Sequence, residues 1–154
     1  HFGRAPARFS DDELFGLNAK IVHMLPYEAV AARLPAQIDA AVWPVVQPNI
    51  ETLAQAADWL PVLEGDIIAP ELNPDDRAFL AQAVEAAEAL DFTADPWPAL
   101  TGALKQSTGR KGKALFLPLR QALTGMDHGP DMAALLPLIG RDRALARLKA
   151  AAGA

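Results

Sequence analysis

Thirteen prolines and ten glycines are distributed through 154 residues, and they fall at the ends of apolar runs with helical spacing. Proline lacks an amide hydrogen and fixes φ, so it stops a helix from inside and suits one at its first turn. A chain cut this often holds only short helices. No alternating strand pattern appears between the cuts, so the expected fold is all-α. Ser10-Asp11-Asp12-Glu13 reads as a capping box with Phe9 and Leu14 as its staple, and Leu14, Leu17, Ile21 and Met24 continue at helical period. The three acids suit a first turn better than acid–base chemistry. Pro26 stops that helix and opens another over 27–34. Pro35, Pro44 and Pro48 divide the next stretch into short pieces, and 50–60 reads as helix.

Residues 61–74 carry three prolines and a glycine and are expected to link two helical subdomains, 1–70 and 71–154. Asn73 is a good N-cap before Pro74, for a helix to about residue 90. Asp95-Pro96 repeats the start signal, and Gly109 offers a left-handed stop. A helix over 113–123 carries Pro118 inside, which kinks it unless packing compensates. Gly125 ends it, Gly129-Pro130-Asp131 opens the next, Gly140 closes that, and 142–151 forms the last.

With 51 % hydrophobic and 21 % charged residues the chain should fold. Alanine supplies much of the apolar content but little volume, so the core needs Leu, Ile, Val and the rings of Trp43, Trp59 and Trp97. The tryptophans could also be base-stacking platforms, but their apolar, proline-rich settings favour core anchoring. No run reaches the roughly 18–20 apolar residues that span a bilayer, and no secretory signal is visible. The absence of cysteine excludes disulfides and thiolate metal sites, and fits a reducing cytosol. His1, His23 and His128 lie far apart, so no metal site is expected. His23, near a helix C-terminus, suits the dipole there. No Gly-x-Ser-x-Gly elbow, phosphate loop or dinucleotide fingerprint occurs, so neither a catalytic nor a cofactor-binding residue is expected. His1 in place of methionine is the start expected of a processed fragment.

Charge is divided unevenly. From Lys105 onward there are 9 Lys/Arg and 3 Asp/Glu, against 5 and 16 before it, so +6 and −11 sum to the net −5. Binding responds to the local field, so the asymmetry points to a polyanion. Arg110, Lys111 and Lys113 precede a helix and Arg120 lies within it. Such cations engage phosphates, and an arginine fork also reads or stacks on an unpaired base. The amides opening the Gly129-Pro130 helix add donors. Arg141, Arg143 and Arg147 read as a solvated helix face.

Pro118-Leu119-Arg120, Ala122-Leu123-Thr124-Gly125 and Gly129-Pro130 resemble the C-terminal anticodon-binding region of bacterial glutamyl-tRNA synthetases. Leu135-Leu136-Pro137-Leu138-Ile139-Gly140 and Arg147-Leu148 look like that family's last helices. Phe9, Leu17-Asn18, His23 and Pro48-Asn49-Ile50-Glu51-Thr52-Leu53 are similar to its upstream segments. The resemblance implies a helical subdomain beside the tRNA stem and anticodon, followed by an anticodon-binding helical cage. It implies an enzyme that joins glutamate to tRNA with ATP and magnesium, through an N-terminal Rossmann domain with His-Ile-Gly-His-type and Lys-Met-Ser-Lys-Ser-type motifs. Neither motif is present here, so this chain is expected to bind tRNA without catalysing its charging.

By the same resemblance Arg120 contacts anticodon bases, and Gly129, Pro130 and Met132 form a helix start against the anticodon loop. Thr124, in the shared motif, joins the tRNA-binding set. Arg110, Lys111 and Lys113 have only electrostatic roles. Asn49 stands where some members have an arginine that separates glutamate from glutamine anticodons, and it implies an enzyme that charges both tRNAs. The expected partners are those tRNAs and the catalytic domain in cis, in a cytoplasmic monomer that binds neither DNA nor membrane. The alternative class is a helical protein-interaction module, or a paralogue without tRNA recognition, that docks through the apolar face of residues 135–139.

Overall fold

The structure, a computed structural model, describes residues 19–153. Helices and 3-10 turns account for its regular elements, and no strand occurs among the described residues, as the proline pattern required. The capping box at Ser10 with Phe9 and Leu14 lies outside them. The chain divides into two compact units, one ending at Trp59 and one beginning at Leu60.

The first unit contains α1 (Ala19–Val22), α2 (Tyr27–Val30) with a 3-10 turn over Ala31–Arg33, α3 (Trp43–Val46), and 3-10 segments at Gln47–Asn49 and Leu53–Trp59. Leu34 is extended with ψ 151°, as a residue before proline must be, and this ends the helix ahead of Pro35. Val22, Val30, Ile38, Trp43, Val46, Ile50, Leu53, Ala56 and Trp59 form the core. The short α1 leaves carbonyls unpaired at its end, and side chains complete them. Gln47 Nε2 donates to Val22 O at 2.9 Å and Leu25 O at 2.8 Å, and Trp43 Nε1 donates to Leu25 O at 3.1 Å. His23 Nε2 donates to Ile50 O at 2.8 Å, a long-range tie where the sequence suggested a dipole partner. Ile21 and Met24 of the expected apolar stripe are exposed, and Val22 is the buried residue. The expected helix over 50–60 is a 3-10 segment from Leu53.

The second unit contains α4 (Leu60–Glu64), α5 (Pro74–Glu88), α6 (Pro96–Thr108), α7 (Lys113–Thr124), α8 (Met132–Ile139) and α9 (Arg141–Ala152). α9 packs most extensively on α5 and also touches α7 and α8, while α6 lies against α5, α7 and α8. Leu80, Leu100, Leu104, Leu115, Leu119, Leu123, Leu135, Leu136 and Leu148 are buried between them. Asn73 caps α5, its Oδ1 accepting from the Asp76 amide at 2.7 Å. Asp95 makes no such bond at α6, so only Pro96 of that start signal contributes. Gly125, with φ 75°, ends α7, and a Cβ there would stand 3.3 Å from Ile68 O.

Arg147, and in part Arg143, correct the reading of a solvated face on α9, while Arg141 is exposed as expected. Arg147 is only 6 % exposed. Its Nη1 donates to Val62 O at 2.6 Å and Leu123 O at 2.8 Å, and its Nη2 to Pro61 O and Gly65 O at 2.8 Å each. Arg143 Nη1 donates to Leu63 O and Ile139 O, both at 2.9 Å, and Arg141 Nη2 donates to Glu88 O at 3.0 Å. These acceptors lie at or beside the C-terminal ends of α4, α5, α7 and α8, where unpaired carbonyls concentrate negative partial charge. Burial, then neighbouring Arg143, pushes the Arg147 pKa down to about 10 against the pull of Asp66, which leaves it a cation at neutral pH. The supposed linker is thus latched. Residues 60–65 are partly helical and bonded into the second unit, so the division falls ahead of the break read near residue 70.

Candidate nucleic-acid interface

The site is built on α7, which begins after Gly112 (φ 61°) and runs through Pro118 without ending. Pro118 has no amide to give the Ala114 carbonyl one turn earlier. Arg110 supplies the missing donor, its Nη1 lying 2.9 Å from Ala114 O. The same guanidinium pairs with Asp76 Oδ1 at 2.7 Å, donates to Asp75 O at 3.3 Å, and sits 4.5 Å from the centroid of the Phe79 ring. Arg110 is therefore a brace between α5 and α7, its charge paired with Asp76 where the sequence suggested a free cation.

One turn of polar contacts then shapes the α7–α8 connection. Thr124 Oγ1 donates to Arg120 O at 2.7 Å and accepts from the Met126 amide at 3.0 Å. The Asp131 carboxylate caps α8 by accepting from the Ala133 amide at 3.2 Å. Between them, half-buried Gly129 takes φ 147°, which only glycine adopts without strain. Across this connection Arg120 Nη1 donates to Pro130 O at 2.9 Å. Nη1 is the only atom of that fork engaged among the described residues, so Nε and Nη2 retain open donors. Burial lowers the Arg120 pKa, the Asp131 carboxylate opposes the shift, and the group stays charged.

The structure thus brings Arg120, Thr124, Gly129, Pro130 and Met132 together. It does not present all their side chains. Thr124 is 2 % exposed and Met132 3 %, and Pro130 is buried as well. Their side chains hold the turn, and Arg120 is the polar group left facing outward. Lys111 and Lys113 are exposed. Lys113 lies close enough to Asp127 to help hold that carboxyl below its usual range, after the larger effect of the 2.7 Å hydrogen bond from His128. Asn49 is exposed in the first unit, its Nδ2 a long 3.4 Å from Val45 O.

Of the basic surplus after residue 104, Arg110, Arg141, Arg143 and Arg147 are bonded to carbonyls, and Lys149 sits 3.7 Å from Glu88. Lys105, Lys111 and Lys113 have no such bond among the described residues, while Arg120, like exposed Arg141, gives one donor to a carbonyl and keeps others open; the three lysines and Arg120 lie on or beside α6 and α7. Trp43 and Trp59 are core residues, while Trp97 is half-buried with its ring centroid 6.2 Å from that of Phe116. Leu135, Leu136 and Ile139 are buried, which removes the apolar face that the interaction-module reading needed.

A family model described as an anticodon binding domain matches residues 20–152. Glutamate–tRNA ligase 1 of Rhizorhabdus wittichii is 62 % identical over 98 % of this chain and 34 % of its own length. Glutamate–tRNA ligase 2 of Sphingopyxis alaskensis is 57 % identical over 99 % of this chain and 35 % of its own. The chain spans about a third of the length of these curated relatives. Among solved structures, a glutamate tRNA ligase from Elizabethkingia meningosepticum, in complex with its amino acid, superposes with TM-score 0.69 at 18 % identity, over 88 % of this chain and 31 % of that one. The glutamate-tRNA synthetase from Elizabethkingia anophelis gives 0.66 at 19 %, over 96 % and 32 %. These structures share the helical fold, and the match over residues 20–152 places the chain in the anticodon binding domain family.

Proposed function

We propose that this chain is the tRNA-recognising part of a glutamate–tRNA ligase and that it reads the anticodon through Arg120. The open side of the Arg120 guanidinium, steadied by the Pro130 carbonyl, carries this reading. One bond fixes the plane of the fork while the remaining donors face outward, a geometry suited to a base edge. Lys105, Lys111 and Lys113 draw the phosphates without regard to sequence. Buried Thr124, Pro130 and Met132 position the turn that aims Arg120.

ATP-dependent joining of glutamate, with magnesium, belongs to an N-terminal catalytic domain in cis, and the ligase works as a monomer in the cytoplasm. The first subdomain meets the tRNA stem and anticodon, where Asn49 replaces a charged discriminator. Its amide both donates and accepts, so the ligase charges glutamine tRNA as well as glutamate tRNA. Titrating labelled glutamate tRNA into the chain at two salt concentrations tests the main reading. Binding should weaken steeply with salt, in proportion to the phosphates neutralised. Salt-independent binding, or none by the intact ligase's own anticodon region, would overturn it.

A further inference from the structure

Phe116 is one of four large hydrophobic side chains exposed among the described residues, and the other three, Ile21, Met24 and Ile68, are aliphatic. A single exposed apolar residue needs no explanation. The surroundings of Phe116 call for one. Residues three and seven apart share a helix face, so Lys113, Phe116 and Arg120 form one outward row on α7. All three are exposed or half-buried, whereas Leu115, Pro118, Leu119, Ala122 and Leu123 face the core. Trp97 of α6 backs the Phe116 ring, centroid to centroid 6.2 Å with planes tilted by 36°, and Phe116 as a residue remains 40 % exposed.

We infer that Phe116 is a stacking platform for one unpaired base of the anticodon, held between the Lys113 and Arg120 cations. This rests on the anticodon-binding reading and adds to it a residue that reads no base edge. An aromatic flanked by cations on one helix row suits single-stranded nucleic acid, because every base has a π-face and every linkage a negative charge. A protein partner would need a wider apolar patch than one ring bordered by two charges. The steadied Arg120 fork then meets the edge of a base whose plane, or whose neighbour's plane, Phe116 sets.

The test uses the intact ligase and glutamate tRNA transcripts, one unmodified and three each abasic at one anticodon position. Phe116→Leu keeps apolar bulk but removes the π-face, and Phe116→Trp keeps a π-face. Phe116→Leu should weaken binding of the unmodified transcript by about five- to a hundredfold, and Phe116→Trp should not weaken it. With one of the three abasic transcripts the Phe116→Leu penalty should disappear. The same penalty on all three, an equal loss with Phe116→Trp, or no loss with Phe116→Leu would each overturn the platform. If Phe116→Leu is neutral while Arg120→Ala still weakens binding, the anticodon-binding reading stands without it. If both are neutral, both readings fall.

Discussion

Replacing Arg147 with methionine removes four donor contacts from one buried side chain and is the sharpest test of how the second unit is held. Two of its acceptors, Val62 O and Leu123 O, are in fully buried bonds. Pro61 O keeps the Gly65 amide as a donor at 3.0 Å, so it is not orphaned. A buried acceptor without a partner costs about 1–3 kcal/mol, so Val62 and Leu123 together cost about 2–6 kcal/mol. Relief of guanidinium desolvation offsets part of this, while the loosened Gly65 contact adds to it. The expected loss is about 4 kcal/mol, a large share of the roughly 5–15 kcal/mol that holds a domain folded. Arg147→Lys keeps the charge but not the planar fork, and should lose about half as much. Urea unfolding followed by far-UV circular dichroism measures both. A change below about 1 kcal/mol for Arg147→Met, or a lysine variant as stable as the parent, would refute this account of the latch.

Arg110→Met should cost about 1 kcal/mol in the same assay, because water can replace the guanidinium at Ala114 O and Asp76, and should leave the salt dependence of tRNA binding unchanged. A reduced salt slope would mean that Arg110 meets a phosphate after all. Lys111→Ala and Lys113→Ala should each lower the slope of log K against log salt by about 1 without changing the preference among tRNAs. A variant that shifts preference would make that lysine a base reader. Gly125→Ala, forced to φ 75° against Ile68 O, should destabilise by about 1–2 kcal/mol.

The fold class was legible because helix ends are local. Asn73-Pro74, Gly109, Gly125 and Gly140 mark real boundaries, since each acts on its own backbone within a turn. Asp95 shows the limit of such signals, for an N-cap residue type does not compel the bond. The arginines were misread because their partners are distant. Arg147 meets carbonyls more than eighty residues away at Pro61, Val62 and Gly65, which no helical spacing reveals. Arg110 left one usable clue, since a proline inside α7 orphans a carbonyl that some donor must fill. Charge counting singled out α7 and its following turn, but it treated every cation there as available. The resemblance marked Thr124, Pro130 and Met132 by position, and only packing reveals that their side chains face inward.

Base reading by Arg120 is tested most directly by comparing two tRNAs, glutamate tRNA and the same transcript with a foreign anticodon, against the intact ligase and its Arg120→Ala variant. Arg120→Ala should lose about 1–3 kcal/mol on the cognate transcript and much less on the other, so that the preference between them narrows. An equal loss on both transcripts would make Arg120 a phosphate contact and contradict base reading at this site.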